Sequence, residues 1–457
     1  MRRTSILSSL AACGACALLT AAPACSSSES ATERSPGSAS SRAADLSVFA
    51  PLPRVLGDIN GDGRADVALT AGRIPDTGAP WSTIPVAFSN GNGTFNVTND
   101  VVADFPTYST QHGASAVLGD FNGDGYADLA LTGGWIPAAA GSNPVPWNTI
   151  PVAFSNGNGT FNVTNSVVSN FATYATQTPL RPVTGDFDGD GKADIALAGG
   201  PWWNTVPVAF SLGNGSFRVT NFAITNFATY AAQGGAFAAP QLVAGDFDGD
   251  GKTDLALTGG WVPASGGASG APWTTVPVAF SNGDGTFRVT NDYVPNFPAY
   301  ATQAGALPVA GDFNGDGRAD IALTGGKGWN TVPVAFSNGD GTFAVTNDYV
   351  ANFPTYATQG AQALAGDYNG DGRADLALTG GGIPGACTPW NTLPVAFSNG
   401  DGTFAVTNDA IANFGTYAVQ DGPIAVSASQ ARPELRFPIC TLSAELPCPS
   451  CCPFGEE

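Results

Sequence analysis

At 457 residues and a formal charge of −20, the chain has room for one large repetitive domain or for two or three ordinary ones. Only 17 Lys and Arg stand against 37 Asp and Glu, so no basic patch exists to neutralise phosphates, and nucleic acid is excluded as a partner. With 59 Gly, 34 Pro and a single Met, the composition disfavours helices and points to a turn-rich, all-β protein, while 43% hydrophobic residues suffice for a core.

Residues 1–24 read as an export signal: Arg2 and Arg3, an apolar stretch from Ile6 to Thr20, then the small residues Ala22-Pro23-Ala24. Cys25 follows at once. This predicts an exported chain that is either lipid-anchored through Cys25 at the bacterial cell surface or plainly secreted. A membrane is expected as a partner only through that anchor, because no other apolar run approaches the roughly 20 residues that span a bilayer. Residues 25–45, rich in Ser and Ala, read as a flexible tether.

Residues 46–426 hold six copies of one unit, a period that implies a propeller or an array. Each copy contains the pattern D-x-[ND]-x-D-G-x-x-D, beginning at Asp58, Asp120, Asp186, Asp246, Asp312 and Asp367. Oxygen side chains at its positions 1, 3, 5 and 9, with the position-7 carbonyl, can surround a hard cation, and Gly at position 6 permits the bend. Calcium is the expected metal, about six ions in a structural role. The predicted ligands are Asp58, Asn60, Asp62 and Asp66; Asp120, Asn122, Asp124 and Asp128; Asp186, Asp188, Asp190 and Asp194; Asp246, Asp248, Asp250 and Asp254; Asp312, Asn314, Asp316 and Asp320; and Asp367, Asn369, Asp371 and Asp375. Arg64, Tyr126, Lys192, Lys252, Arg318 and Arg373 are expected to offer their carbonyls alone, leaving their side chains free to vary. The 20 Asp of the six loops account for more than half of the acidic residues, which makes the acidity metal-site chemistry.

The unit around Val309 shows the predicted strands. A short strand over 308–311 runs into the metal loop, and 321–324 form a second. The third covers 333–337, the N-G-D-G turn of 338–341 follows, and 342–346 form the fourth. Four antiparallel strands with no helical pattern describe a propeller blade. Six blades are predicted; the alternative is seven, closed by N- and C-terminal strands from 44–52 and 418–440, and Ile424-Ala425-Val426 is a candidate further strand. The third strand carries Pro in every copy (Pro85, Pro151, Pro207, Pro277, Pro333, Pro394), and this Pro should be its first residue. Residues 427–457 form a Cys-rich tail. A disulfide from Cys387 to that tail is the preferred reading, and a zinc site from Cys440, Cys448, Cys451 and Cys452 is the alternative.

The wording G-D-F-N-G-D-G-x-A-D-[IL]-A-L-T-G-G, followed by N-G-D-G-T-F, resembles the FG-GAP/VCBS repeat of integrin α-type calcium-binding propellers. S-N-G-[ND]-G-T-F…N-F…Y is similar to repeats of fungal propeller lectins that bind N-acetylglucosamine. The resemblance implies a calcium-bearing propeller and a glycan ligand.

Strand alternation places the metal loops and the 3–4 turns on one face, and the variable 2–3 and 4–1 connections on the other. The second face carries one Trp per repeat (Trp81, Trp147, Trp203, Trp273, Trp329, Trp390) and one Tyr (Tyr108, Tyr174, Tyr230, Tyr300, Tyr356, Tyr417), with extra Trp135, Trp202 and Trp261. These aromatics suit stacking on sugar rings, and they equally suit packing between blades. No G-x-S-x-G, HExxH or Cys–His arrangement occurs, and His112 is the one His. The sequence therefore predicts a monomeric, non-catalytic binding module for a glycan or, alternatively, a cell-surface protein; a polysaccharide-degrading enzyme is the reading from a different class.

Overall fold

The computed structural model describes residues 57–426, apart from 76, 137–142, 169, 178–179, 201, 234–238, 263–269, 384–387, 412 and 421–423. The predicted signal, tether, Cys25, Cys387 and the Cys-rich tail lie outside the described residues.

Six four-stranded antiparallel sheets form the blades of a propeller, as the repeat count predicts. In blade 5 the strands are Leu307–Gly311, Asp320–Thr324, Thr331–Ser337 and Phe343–Tyr349, paired in chain order. Blades 2, 3, 4 and 6 repeat this arrangement. Blade 1 differs: its inner strand is Ile424–Val426, from the other end of the chain, which pairs with Val67–Thr70 in the register Ala68↔Val426, Leu69↔Ala425, Thr70↔Ile424. The candidate strand at 424–426 thus closes the ring, and Gln362 of blade 6 donates to the Ala425 carbonyl at 2.8 Å.

Alternation explains the core. Second strands such as Asp320-Ile321-Ala322-Leu323-Thr324 are buried at every residue, because neighbouring blades cover both faces. Phe121, Phe187, Phe247, Phe313 and Tyr368, each the second residue of a metal loop, are fully buried between blades. All five meet the outer-strand Phe of the following blade edge-to-face at 6.1–6.3 Å, as Phe313 meets Phe404 and Tyr368 meets Phe95.

Two expectations need correction. Pro333 is the third residue of Thr331–Ser337 and pairs with Asn347 across the hairpin. Counting from the Asn338 N–H bond to Thr342, its nitrogen faces the second strand. The ladder there covers only Ile321↔Ala335 and Ala322↔Val334, so it ends where the proline removes a donor. The absence of helix is also corrected: each 4–1 connection contains a one-turn helix, such as Phe353–Ala357. Five of the six N-caps are Asn and one is Asp104, all at φ of 60–64°, a conformation these short polar residues tolerate. The following Phe (Phe105, Phe171, Phe227, Phe297, Phe353, Phe414) is completely buried and anchors the turn.

Candidate metal centres and the opposite face

Each metal loop is preorganised by its own carboxylates. In the first, Asp58 Oδ1 accepts from the Gly61 and Asp62 amides and Oδ2 from Gly63. Gly61 and Gly63 sit at φ of 75° and 83°, so the chain turns back around the carboxylate. Asp66 at position 9 accepts from Ile59 through Oδ2 and from Ser89 through Oδ1, both at 2.9 Å. That second bond joins the loop to the end of the third strand, which confirms that metal loops and 3–4 turns share one face.

Burial, with nearby carboxylates adding to it, pushes Asp66, Asp128, Asp194, Asp254, Asp320 and Asp375 up to about 8. Oxygen atoms of Asp186, Asp188 and Asp194, and equally of Asp246, Asp248 and Asp254, lie within 4.8 Å of one another. Asp188 Oδ1 is buried without a hydrogen-bond partner among the described residues. Crowded carboxylates with an orphaned oxygen are a hard-oxygen donor set that suits a divalent cation.

The position-7 side chains vary in identity, as expected, and the charged ones also have partners. Arg64, Lys192, Lys252, Arg318 and Arg373 pair with the position-5 Asp of their own loops. Each also lies across the position-4 glycine of the preceding loop, as Arg318 does on Gly249, where an added Cβ would come within 3.2 Å of it. Tyr126 covers Gly61 in the same way.

On the opposite face, the predicted Trp and Tyr of neighbouring blades meet. Trp81 contacts Tyr417, Trp147 contacts Tyr108, and the series continues through Trp203–Tyr174, Trp273–Tyr230, Trp329–Tyr300 and Trp390–Tyr356, with centroids 5.9–6.4 Å apart and rings near perpendicular. Each indole also lies against a glycine, such as Gly326 for Trp329, where a Cβ would sit 2.0 Å from the ring. Trp81, Trp147, Trp273 and Trp390 are buried, whereas the six Tyr are half-exposed. In five of the pairs the indole N–H donates to a Gln three residues after the Tyr: Gln420, Gln111, Gln177, Gln303 and Gln359, at 2.8–3.2 Å. These glutamines were missed at the sequence level, although the Y-x-x-Q spacing recurs in every repeat.

The sixth pair differs. Gln233 Oε1 is buried with no partner among the described residues. It lines a cleft of about 210 Å³ between blades 3 and 4, together with Tyr230, Trp261, Trp273, Thr275 and Asn291. His112 is exposed; its backbone carbonyl accepts from Trp135.

The fold and loops define a six-bladed propeller with repeated oxygen-rich turns between first and second strands. Residues 56–131, 186–257 and 312–378 match the FG-GAP-like repeat. Among solved structures, an Agrocybe aegerita lectin aligns at 21% identity over 82% of this chain and 84% of that one, with a TM-score of 0.50. AofleA from Arthrobotrys oligospora aligns at 12% identity over 79% and 89%, at 0.40. A Bacillus licheniformis rhamnogalacturonan lyase aligns at 17% over 73% and 61%, at 0.29. The first of these likenesses concerns the fold; the other two are too distant to carry an argument. No curated protein matches.

Proposed function

We propose that the protein is an exported, calcium-stabilised propeller that acts as a non-catalytic glycan-binding module. The observation that carries this reading is the cleft between blades 3 and 4. Tyr230 and Trp261 border it with aromatic rings, Asn291 adds an amide, and Gln233 Oε1 is an acceptor in need of a donor. A pyranose offers the complementary set: an apolar C–H face for the rings and hydroxyl donors for the amides. The lectin of similar fold recognises non-reducing terminal N-acetylglucosamine, which makes an amino sugar the first ligand to test. Calcium would be held by the six loops, whose hard-oxygen donors suit it and which stand on the far face from the cleft. The scaffold role of the six Trp–Tyr pairs narrows ligand contact to the exposed parts of the Tyr and to Trp261.

One observation favours a protein ligand as a second reading. Trp202 is 99% exposed at a φ of 65°, and Phe222 of the same blade is 48% exposed. An exposed indole on a strained backbone suits a protein partner's pocket.

Glycan-array binding by the purified propeller, lost in Trp261→Ala and Tyr230→Ala variants that remain folded, is the expected result. An array without binding, or binding that survives both substitutions, would refute the cleft as a sugar site.

A further inference from the structure

The six loops differ in charge, and the difference is answered elsewhere in the same blades. Position 3 is Asn60, Asn122, Asn314 or Asn369 in four loops but Asp188 and Asp248 in blades 3 and 4. In those two blades the second residue of the outer strand is arginine, Arg218 and Arg288. The other blades have Asn96, Asn162, Ala344 and Ala405 there. Both guanidinium groups lie 4.2 Å over a third-strand ring, Phe210 and Phe280. From there Arg218 reaches Asp188 at 3.6 Å and Arg288 reaches Asp248 at 3.8 Å. The two arginines are 50% and 55% exposed, so these pairs add little to folding.

Their effect is on charge. The loops of blades 1, 5 and 6 each hold three Asp and one position-7 Arg, for a local sum of −2. Those of blades 3 and 4 hold four Asp and one Lys, a sum of −3 that Arg218 or Arg288 returns to −2. We propose that Arg218 and Arg288 are charge-balancing residues that bring the two four-carboxylate loops to the charge of one divalent cation, so that these sites bind calcium no more tightly than their three-carboxylate counterparts. The proposal rests on calcium occupying the loops.

Calorimetric calcium titration of the full chain tests it. In R218Q/R288Q two sites should tighten about tenfold, the effect of removing a unit charge roughly 7 Å from a divalent ion in water-like screening. D188N/D248N in the same background should return both sites to parental affinity, and R218K/R288K, which keeps the charge but loses the planar stacking, should bind like the parent. Unchanged or weakened sites in R218Q/R288Q, tightening that persists in the quadruple variant, or R218K/R288K behaving like R218Q/R288Q would each overturn the proposal. A parent protein that binds no calcium would instead overturn the metal reading beneath it.

Discussion

The ninth residue of each loop does two jobs. Asp320 is fully buried and accepts from the Phe313 amide at 3.0 Å and the Ser337 amide at 2.8 Å, so it ties the loop to the third strand. Burial also raises it to about 8, far above the ordinary carboxylate value of 3.8. The consequence for stability follows from linkage. A carboxyl whose pKa is raised by folding binds its proton more tightly in the folded state. The stability it contributes is therefore present below about pH 4 and is lost as the pH rises through about 8. Six loops share the effect, so the metal-free protein should melt at a higher temperature at pH 5.5 than at pH 8.5. A bound cation replaces the proton, and saturating calcium should remove or reverse the trend. Thermal melts in chelator and in calcium across that range check both halves; a chelated protein most stable at pH 8.5 would contradict the assignment.

At the scale of the element, ring closure depends on three residues. Ala425 and Val426 are buried, and the strand they belong to completes blade 1 from the far end of the chain. Without it Val67–Thr70 becomes an open edge beside the axis. A chain ending at residue 423 should be less stable than one ending at 426 by roughly 3–5 kcal/mol, from one lost buried Val and a few ladder bonds. Chemical denaturation of the two chains measures it, and equal midpoints would show that closure lies elsewhere. The blade strands were legible in the sequence because Gly-rich turns separate them in a unit that recurs every 55–66 residues. The metal loops were legible because six Asp patterns recur at fixed spacing. The one-turn helices were not, since five residues such as Phe353–Ala357 are too few to show a helical period; only the Asn or Asp before the buried Phe marks them. The Trp–Tyr contacts were legible as residues but not as contacts. Each pair joins two blades, and whether an aromatic row faces solvent or a neighbouring blade depends on packing that periodicity does not encode.

Across the whole molecule the metal loops form a continuous ring. The position-8 amide of each loop donates to the position-1 carbonyl of the loop before it: Ala127 to Asp58, Ala193 to Asp120, Thr253 to Asp186, Ala319 to Asp246, Ala374 to Asp312, and Ala65 back to Asp367, all at 2.6–2.7 Å. A second set runs from third-strand serines to position-2 carbonyls, as from Ser337 Oγ to Phe247 at 2.7 Å. Every loop is therefore held by its neighbour's fold, and the first loop by the last. At about 1 mM calcium and a Kd near 0.1 mM, each occupied site adds about 1.4 kcal/mol, and six add about 8, comparable to the whole stability of a typical domain. Because the loops are linked in a circle, that contribution should disappear from the propeller as a unit and not blade by blade. Excess chelator should lower the melting temperature by well over 10 °C while leaving one cooperative transition, read by calorimetry. A melt unchanged in chelator would deny calcium its structural role, and a melt that splits into successive transitions would show that the hydrogen-bonded ring does not couple the blades.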